Sequence, residues 1–147
     1  MKDSPPFGSQ HGRELSAEKV EQWKDQFTEG VKLERMRRYS EAAAHFRAAV
    51  EIDEGYAELQ FRLGRCLWSL DQFEEAKSAF VRAHAMDTLL YRADDGINAV
   101  IREAAAAYRS EGAVLVDAQS IFASHGDTSH GVPGKELFYD HVAVHLQ

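Results

Sequence analysis

Residues 27–53, FTEGVKLERMRRYSEAAAHFRAAVEID, and residues 61–87, FRLGRCLWSLDQFEEAKSAFVRAHAMD, decide the fold when they are laid over each other at an offset of 34 residues. Phe27 then falls on Phe61, Gly30 on Gly64 and Leu33 on Leu67. Tyr39 falls on Phe73, Glu41 on Glu75, Ala42 on Ala76, Phe46 on Phe80, Ala49 on Ala83 and Asp53 on Asp87. Small, aromatic and acidic types are kept together at one period, the mark of a duplicated structural unit. Each copy has helical spacing broken by a short turn, Met36-Arg37-Arg38 in the first and Leu70-Asp71-Gln72 in the second. Glycine inside a helix costs about 1 kcal/mol relative to alanine, so Gly30 and Gly64 imply close approach of a neighbouring helix. Ala42, Ala49, Ala76 and Ala83 make the same allowance in the second helix of each pair. Tyr39 and Phe73 fall just past the turns, where an aromatic can wedge between paired helices, and Phe46 and Phe80 supply bulk to the core.

Upstream, Ser16 is placed to cap a long first helix, residues 17–37, with Glu18 in its first turn. Val20, Trp23, Phe27, Val31 and Met36 can share one broad apolar face of it. Residues 1–15 hold Pro, Gly, Ser and charges and little that could pack, and are read as a mobile leader. Downstream the period stops: Asn98 stands where a third glycine would fall. Ile97, Ile101, Ala104 and Tyr108 mark one helical face, so residues 94–109, capped by Asp94 or Asp95, are expected to form a helix that covers the last repeat. The helical domain is thus assigned to residues 16–110, with repeats over about 23–56 and 57–90. In the tail, residues 111–147, Ala113-Val114-Leu115-Val116 reads as a short buried strand between Gly112 and Asp117. A short helix through Ile121 and Phe122 is expected next, then a loop over Ser124 to Lys135.

Helix, short turn, helix at a 34-residue period resembles the tetratricopeptide repeat (TPR), and the second copy matches its pattern at Leu63-Gly64, Leu67, Phe73, Ala76, Phe80 and Ala83. The first copy departs from it at Glu29, where leucine is usual. Glu54 and Thr88 stand where a proline often closes the second helix. The expected fold class is all-α: a TPR-type stack with a capping helix and a small tail holding one short strand. The resemblance implies a concave groove lined by the first helix of each unit. It would present Lys24, Phe27, Val31 and Glu34 from the first unit and Glu58, Phe61, Arg65 and Trp68 from the second. Phe27, Phe61 and Trp68 would anchor a partner and Arg65 would hold a carboxylate. The competing reading is that these aromatics are core, as aromatics at helical spacing usually are. A basic clamp completed by asparagines is not expected, since neither first helix contains one. Two repeats are fewer than the roughly three usually needed for stability. The long first helix and the capping helix must supply the rest, or a homodimer must.

Several function classes are excluded. A net charge of -7 argues against nucleic-acid and anionic-membrane partners, which need a positive field. No run approaches the roughly 18 apolar residues of a membrane span. The single cysteine, Cys66, allows no intrachain disulfide and fits a reducing compartment, so a cytoplasmic protein is expected. In its helix it reads as a small buried hydrophobe rather than a reactive thiol. His125, Asp127 and His130 share a loop, but they do not make the converging set a metal needs. No glycine-rich turn opens a helix after a strand, so no cofactor is expected. Arg35, Arg37 and Arg38 complement a helix C-terminus.

A second resemblance centres on the tail and extends upstream through Leu63-Gly64-Arg65-Cys66 and Tyr91-Arg92-Ala93-Asp94, over about residues 16–142. Val114-Leu115-Val116-Asp117, Gly131-Val132-Pro133-Gly134 and Glu136-Leu137-Phe138-Tyr139-Asp140-His141-Val142 resemble the end of SGNH (GDSL-like) hydrolase domains, which in bacteria can carry TPR repeats. That family pairs a late Asp with a His three residues on, serving a serine nucleophile. Asp140 matches the acid, but the base position is Ala143, and His141 and His145 have the wrong spacing. Gly126-Asp127-Thr128 follows no strand. The function expected is therefore a non-catalytic scaffold for a protein or peptide ligand. The alternative is an incomplete or remnant SGNH-type esterase.

Overall fold

Both turns of the duplicated segment are built from the same backbone device. In a computed structural model, which describes residues 2–12, 14–89 and 95–137, the first pair is α1 (Ala17–Arg35) and α2 (Tyr39–Ile52). The second pair is α3 (Ala57–Ser69) and α4 (Phe73–Ala85). After α1, Arg37 takes a φ of 59°, and after α3 Asp71 takes the same value. At the first turn Arg37 N–H donates to Glu34 O at 2.9 Å and Arg38 N–H to Leu33 O at 3.0 Å. At the second, Asp71 N–H donates to Trp68 O at 3.1 Å and Gln72 N–H to Leu67 O at 3.0 Å. These are paired Schellman closures, which satisfy the last carbonyls of each helix. Neither copy uses the customary glycine there. At its start, α1 is capped by Ser16, whose Oγ accepts from Lys19 N–H at 3.4 Å.

The glycines inside the helices do what their cost implied. A Cβ on Gly30 would lie 2.6 Å from the Phe46 ring, and one on Gly64 would lie 2.8 Å from the Phe80 ring. Each glycine makes room for the phenylalanine of its partner helix. Phe46 is completely buried, as are Ala42, Ala49 and Ala76, so α1 seats on α2 and α3 on α4, while α2 joins the pairs by packing on α3. Tyr39 and Phe73 are half-buried, and the Phe73 ring lies 5.1 Å from that of Trp68. One expected core position is wrong: Met36 is exposed. The helix ends at Arg35, so Met36 caps it, and Leu33 enters the core instead.

Two compact units divide the chain, residues 1–89 and 90–147. In the second, the helix expected over 94–109 runs Asp95–Ala107 (α5). Its Ile97, Val100 and Ile101 are exposed. The short helix expected through Ile121 and Phe122 forms as α6 (Ala118–Ser124). The strand does not form. Among the described residues there is none, and Ala113 to Val116 is irregular, with Val114 86% exposed. A lone strand has no ladder to satisfy its backbone, and no second one is available among the described residues. Polar links join α5 to the α6 segment instead. Arg102 Nε donates to Asp117 at 2.9 Å and its Nη2 donates to Gln119 at 2.8 Å. Asp117 also caps α6 by accepting from Ser120 N–H at 3.1 Å. The Arg102 hydrogen bond, then that of the Ser120 backbone, hold the Asp117 carboxyl down at about 2.

Candidate interaction surface

The eight residues proposed to line the groove do not share one environment. Lys24 is exposed and Val31 is half-buried. Phe27 stacks on Trp23, with centroids 4.9 Å apart and planes 11° from parallel, and its ring is 6.1 Å from Phe46. It is an aromatic-core residue with one edge left half-buried. Phe61 is only 6% exposed, while Trp68 is half-buried. Glu34 is buried, contrary to the expectation of an outward ligand contact, because Arg62 of α3 reaches it at 2.7 Å. Arg65 Nη1 lies 3.5 Å from the other Glu34 oxygen. The carboxylate that Arg65 was expected to take from a partner is thus matched by one from α1.

Arg62, which the spacing argument passed over, joins this strip together. It donates to Glu34 and, through Nε, to Glu58 at 2.9 Å. Its guanidinium sits 6.0 Å from the Phe27 ring centroid. Burial disfavours its charge, but hydrogen bonds to Glu58 and then Glu34 outweigh that, and its pKa is raised. The signal for it was available: Glu58 and Arg62 are an i,i+4 pair on the same helix.

The N-terminal segment departs most from expectation. Instead of having little that packs, residues 2–12 are held along the repeats of their own unit. Asp87 accepts from Phe7 N–H and Gly8 N–H, each at 2.9 Å. Asp53, 2% exposed, lies 2.7 Å from His11 Nδ1 and accepts from Gly12 N–H at 3.3 Å. Ser9 Oγ accepts from Glu58 N–H at 2.9 Å. The His11 ring meets Trp23 edge-on at 4.8 Å. Many of the contacts come from backbone amides and polar side chains rather than apolar ones, which is why composition read the segment as unable to pack.

The remaining constellations are plain. Cys66 is fully buried, and burial first, then the charge of Glu34, pushes its thiol up to about 12, far from the thiolate a reactive cysteine needs. His125 Nδ1 is 3.7 Å from Asp127 in an exposed loop. No cluster of three metal-ligating side chains occurs among the described residues. Arg38 pairs with Glu41. Asp140, His141, Ala143 and His145 lie outside the described residues.

The fold is an all-α repeat stack of paired helices. Residues 33–88 match the family model described as tetratricopeptide repeat, and over that segment the chain is similar to TPR proteins. The match spans the whole of α2, α3 and α4 and begins near the end of α1, so it agrees with the period read from the sequence. No curated protein and no solved structure matches the chain. The SGNH resemblance of the tail is supported by none of these comparisons. No helix among the described residues is long and apolar enough to cross a membrane.

Proposed function

We propose that this protein is an interaction scaffold that binds a protein or peptide ligand along the face shared by α1 and α3, and that it acts by binding rather than by turnover. TPR repeats generally serve protein–protein contacts, and the match over residues 33–88 supports that class. The observation that carries the finer reading is the strip Glu34–Arg62–Glu58 with Arg65 beside it. The side chains of Arg65 and Glu58 are 54% and 38% exposed, and Arg62 is anchored between two carboxylates. Charged groups held in fixed positions by partners in the same chain give orientation and selectivity to a docking peptide. Trp68 at the far end of α3 supplies an apolar neighbour.

The test uses Arg65→Glu and Trp68→Ala in the full chain. Both proteins should keep the helical circular dichroism of the parent while losing at least about tenfold in affinity for a ligand selected from a random peptide library. Parental affinity in both variants, or unfolding of Trp68→Ala, would show that the binding face lies elsewhere.

A further inference from the structure

Residues 2–12 run antiparallel to α3. At the C-terminal end of that helix, Lys2 Nζ stands 5.6 Å from the Trp68 ring centroid. Further along, Lys2, Asp3 and Pro5 share a cleft of about 460 Å³ with Phe61, Arg62 and Arg65. At the N-terminal end Ser9 accepts from the Glu58 amide at 2.9 Å. The segment therefore lies against Glu58, Phe61, Arg65 and Trp68, all four of the second-unit positions proposed for the ligand, while leaving the Arg65 side chain 54% exposed.

Its fixings repeat with the fold. Asp53 and Asp87 are equivalent residues, 34 positions apart. Each closes its own turn, Asp53 by accepting from Gly55 N–H at 2.9 Å and Asp87 by accepting from Leu89 N–H at 3.1 Å. Each then uses its remaining capacity on the N-terminal segment, Asp87 on the Phe7 and Gly8 amides and Asp53 on His11 Nδ1 at 2.7 Å and the Gly12 amide at 3.3 Å. Thr88 N–H returns a bond to Gly8 O at 3.2 Å. Charge-assisted bonds to the amides of Phe7, Gly8 and Gly12 do not depend on side-chain identity, whereas the bond to His11 does. Side-chain size matters where the segment meets Thr88 and Gly55. A Cβ on Gly8 would lie 2.4 Å from Thr88 Oγ1, and one on Gly12 would lie 2.8 Å from the Gly55 Cα.

We propose that the track from Trp68 to Gly55 docks a peptide with glycines four residues apart and a cation toward the Trp68 end, and that residues 2–12 are its resident occupant, which an external peptide of that chemistry must displace. The inference rests on the proposed interaction face and states both its ligand class and its regulation. A site filled by its own chain shows an outside ligand only the fraction of molecules in which the segment is released.

The probe is a fluorescent synthetic peptide of residues 2–12, titrated into the full-length protein and into its Gly8→Val and Gly12→Val variants, with amide hydrogen exchange followed in parallel. In the parent, the amides of Phe7, Gly8 and Gly12 should be protected. In the variants that protection should vanish while helix amides keep theirs, and the probe should bind at least about tenfold more tightly than to the parent. A probe with valine at both glycine positions should bind neither variant. Unprotected amides in the parent would overturn the resident segment. Protection that survives both substitutions would overturn the glycine rule and the proposal with it. A released segment without tighter probe binding would overturn the docking track. In that last case the scaffold reading still stands if Arg65→Glu weakens the library-selected ligand, so the two failures are distinguishable.

Discussion

Positions 29 and 32 of the first repeat and 63 and 66 of the second are equivalent by the 34-residue period, yet they hold opposite chemistry. Glu29 and Lys32 form an exposed ion pair at 3.1 Å. Leu63 and Cys66 are buried. The difference follows from place in the stack. The face of α3 that carries Leu63 and Cys66 has another helix pair before it. No helix precedes α1 among the described residues, so its equivalent face meets solvent, and a terminal repeat needs a polar outer side. The departure from the repeat pattern at Glu29 therefore goes with a face that meets solvent. What does not depend on neighbours is kept: the glycine under the phenylalanine, the left-handed turn residue and the closing aspartate.

The sharpest way to break this comparison is to exchange the two chemistries. Leu63→Glu should cost about 4 kcal/mol or more, because it leaves a charge buried without a partner, whereas Glu29→Leu should stay within about 0.5 kcal/mol. Urea denaturation of both proteins checks this, and equal costs would refute the difference in environment. Next, Phe46→Ala and Phe80→Ala should each cost about 3–4 kcal/mol, and a large gap between them would mean the two pairs are not packed alike. Gly30→Ala and Gly64→Ala should each lose about 1–2 kcal/mol by the same assay, since overpacking against a ring outweighs the helix-propensity gain of alanine. Arg37→Gly should raise stability by about 1 kcal/mol and Asp71→Gly by less, because Asp tolerates the left-handed region better than Arg. At neutral pH the next effect, a dependence on pH, vanishes, and it shows only in alkali. Burial raises the folded-state pKa of Cys66 from 9.0 to about 12. Its contribution is complete below pH 9 and is lost as pH rises from there through 12, so the alkaline loss of stability should be smaller in Cys66→Ala than in the parent.

Much of the fold was legible because the period of Gly30/Gly64 and Phe46/Phe80 is a local record of packing. A glycine in mid-helix and an aromatic 16 positions on have no reason to recur together unless they touch. The turn residues were located but not their conformation, since Arg37 and Asp71 lack the glycine that usually marks a left-handed closure. The surface was less legible. Phe61, Arg65 and Trp68 were placed on the right helix. That Glu34 turns inward depends on Arg62, which sits 28 residues away. The segment over residues 2–12 was invisible to composition because backbone amides and polar side chains, not a run of apolar residues, hold it. The strand expected at Val114 to Val116 failed for a related reason: a short apolar run states what could be buried, not whether a partner exists.

The sequence by itself determined the helix pairs, their 34-residue repeat and the residues at their contacts, because these depend on neighbours a few turns apart and on shape complementarity that residue type records. Only the tertiary structure decided which equivalent positions face solvent, which carboxylate Arg62 and Arg65 meet, and where residues 2–12 lie. Those outcomes depend on which backbone amides and charges arrive at the same place from distant parts of the chain, and residue identity alone does not encode that arrival.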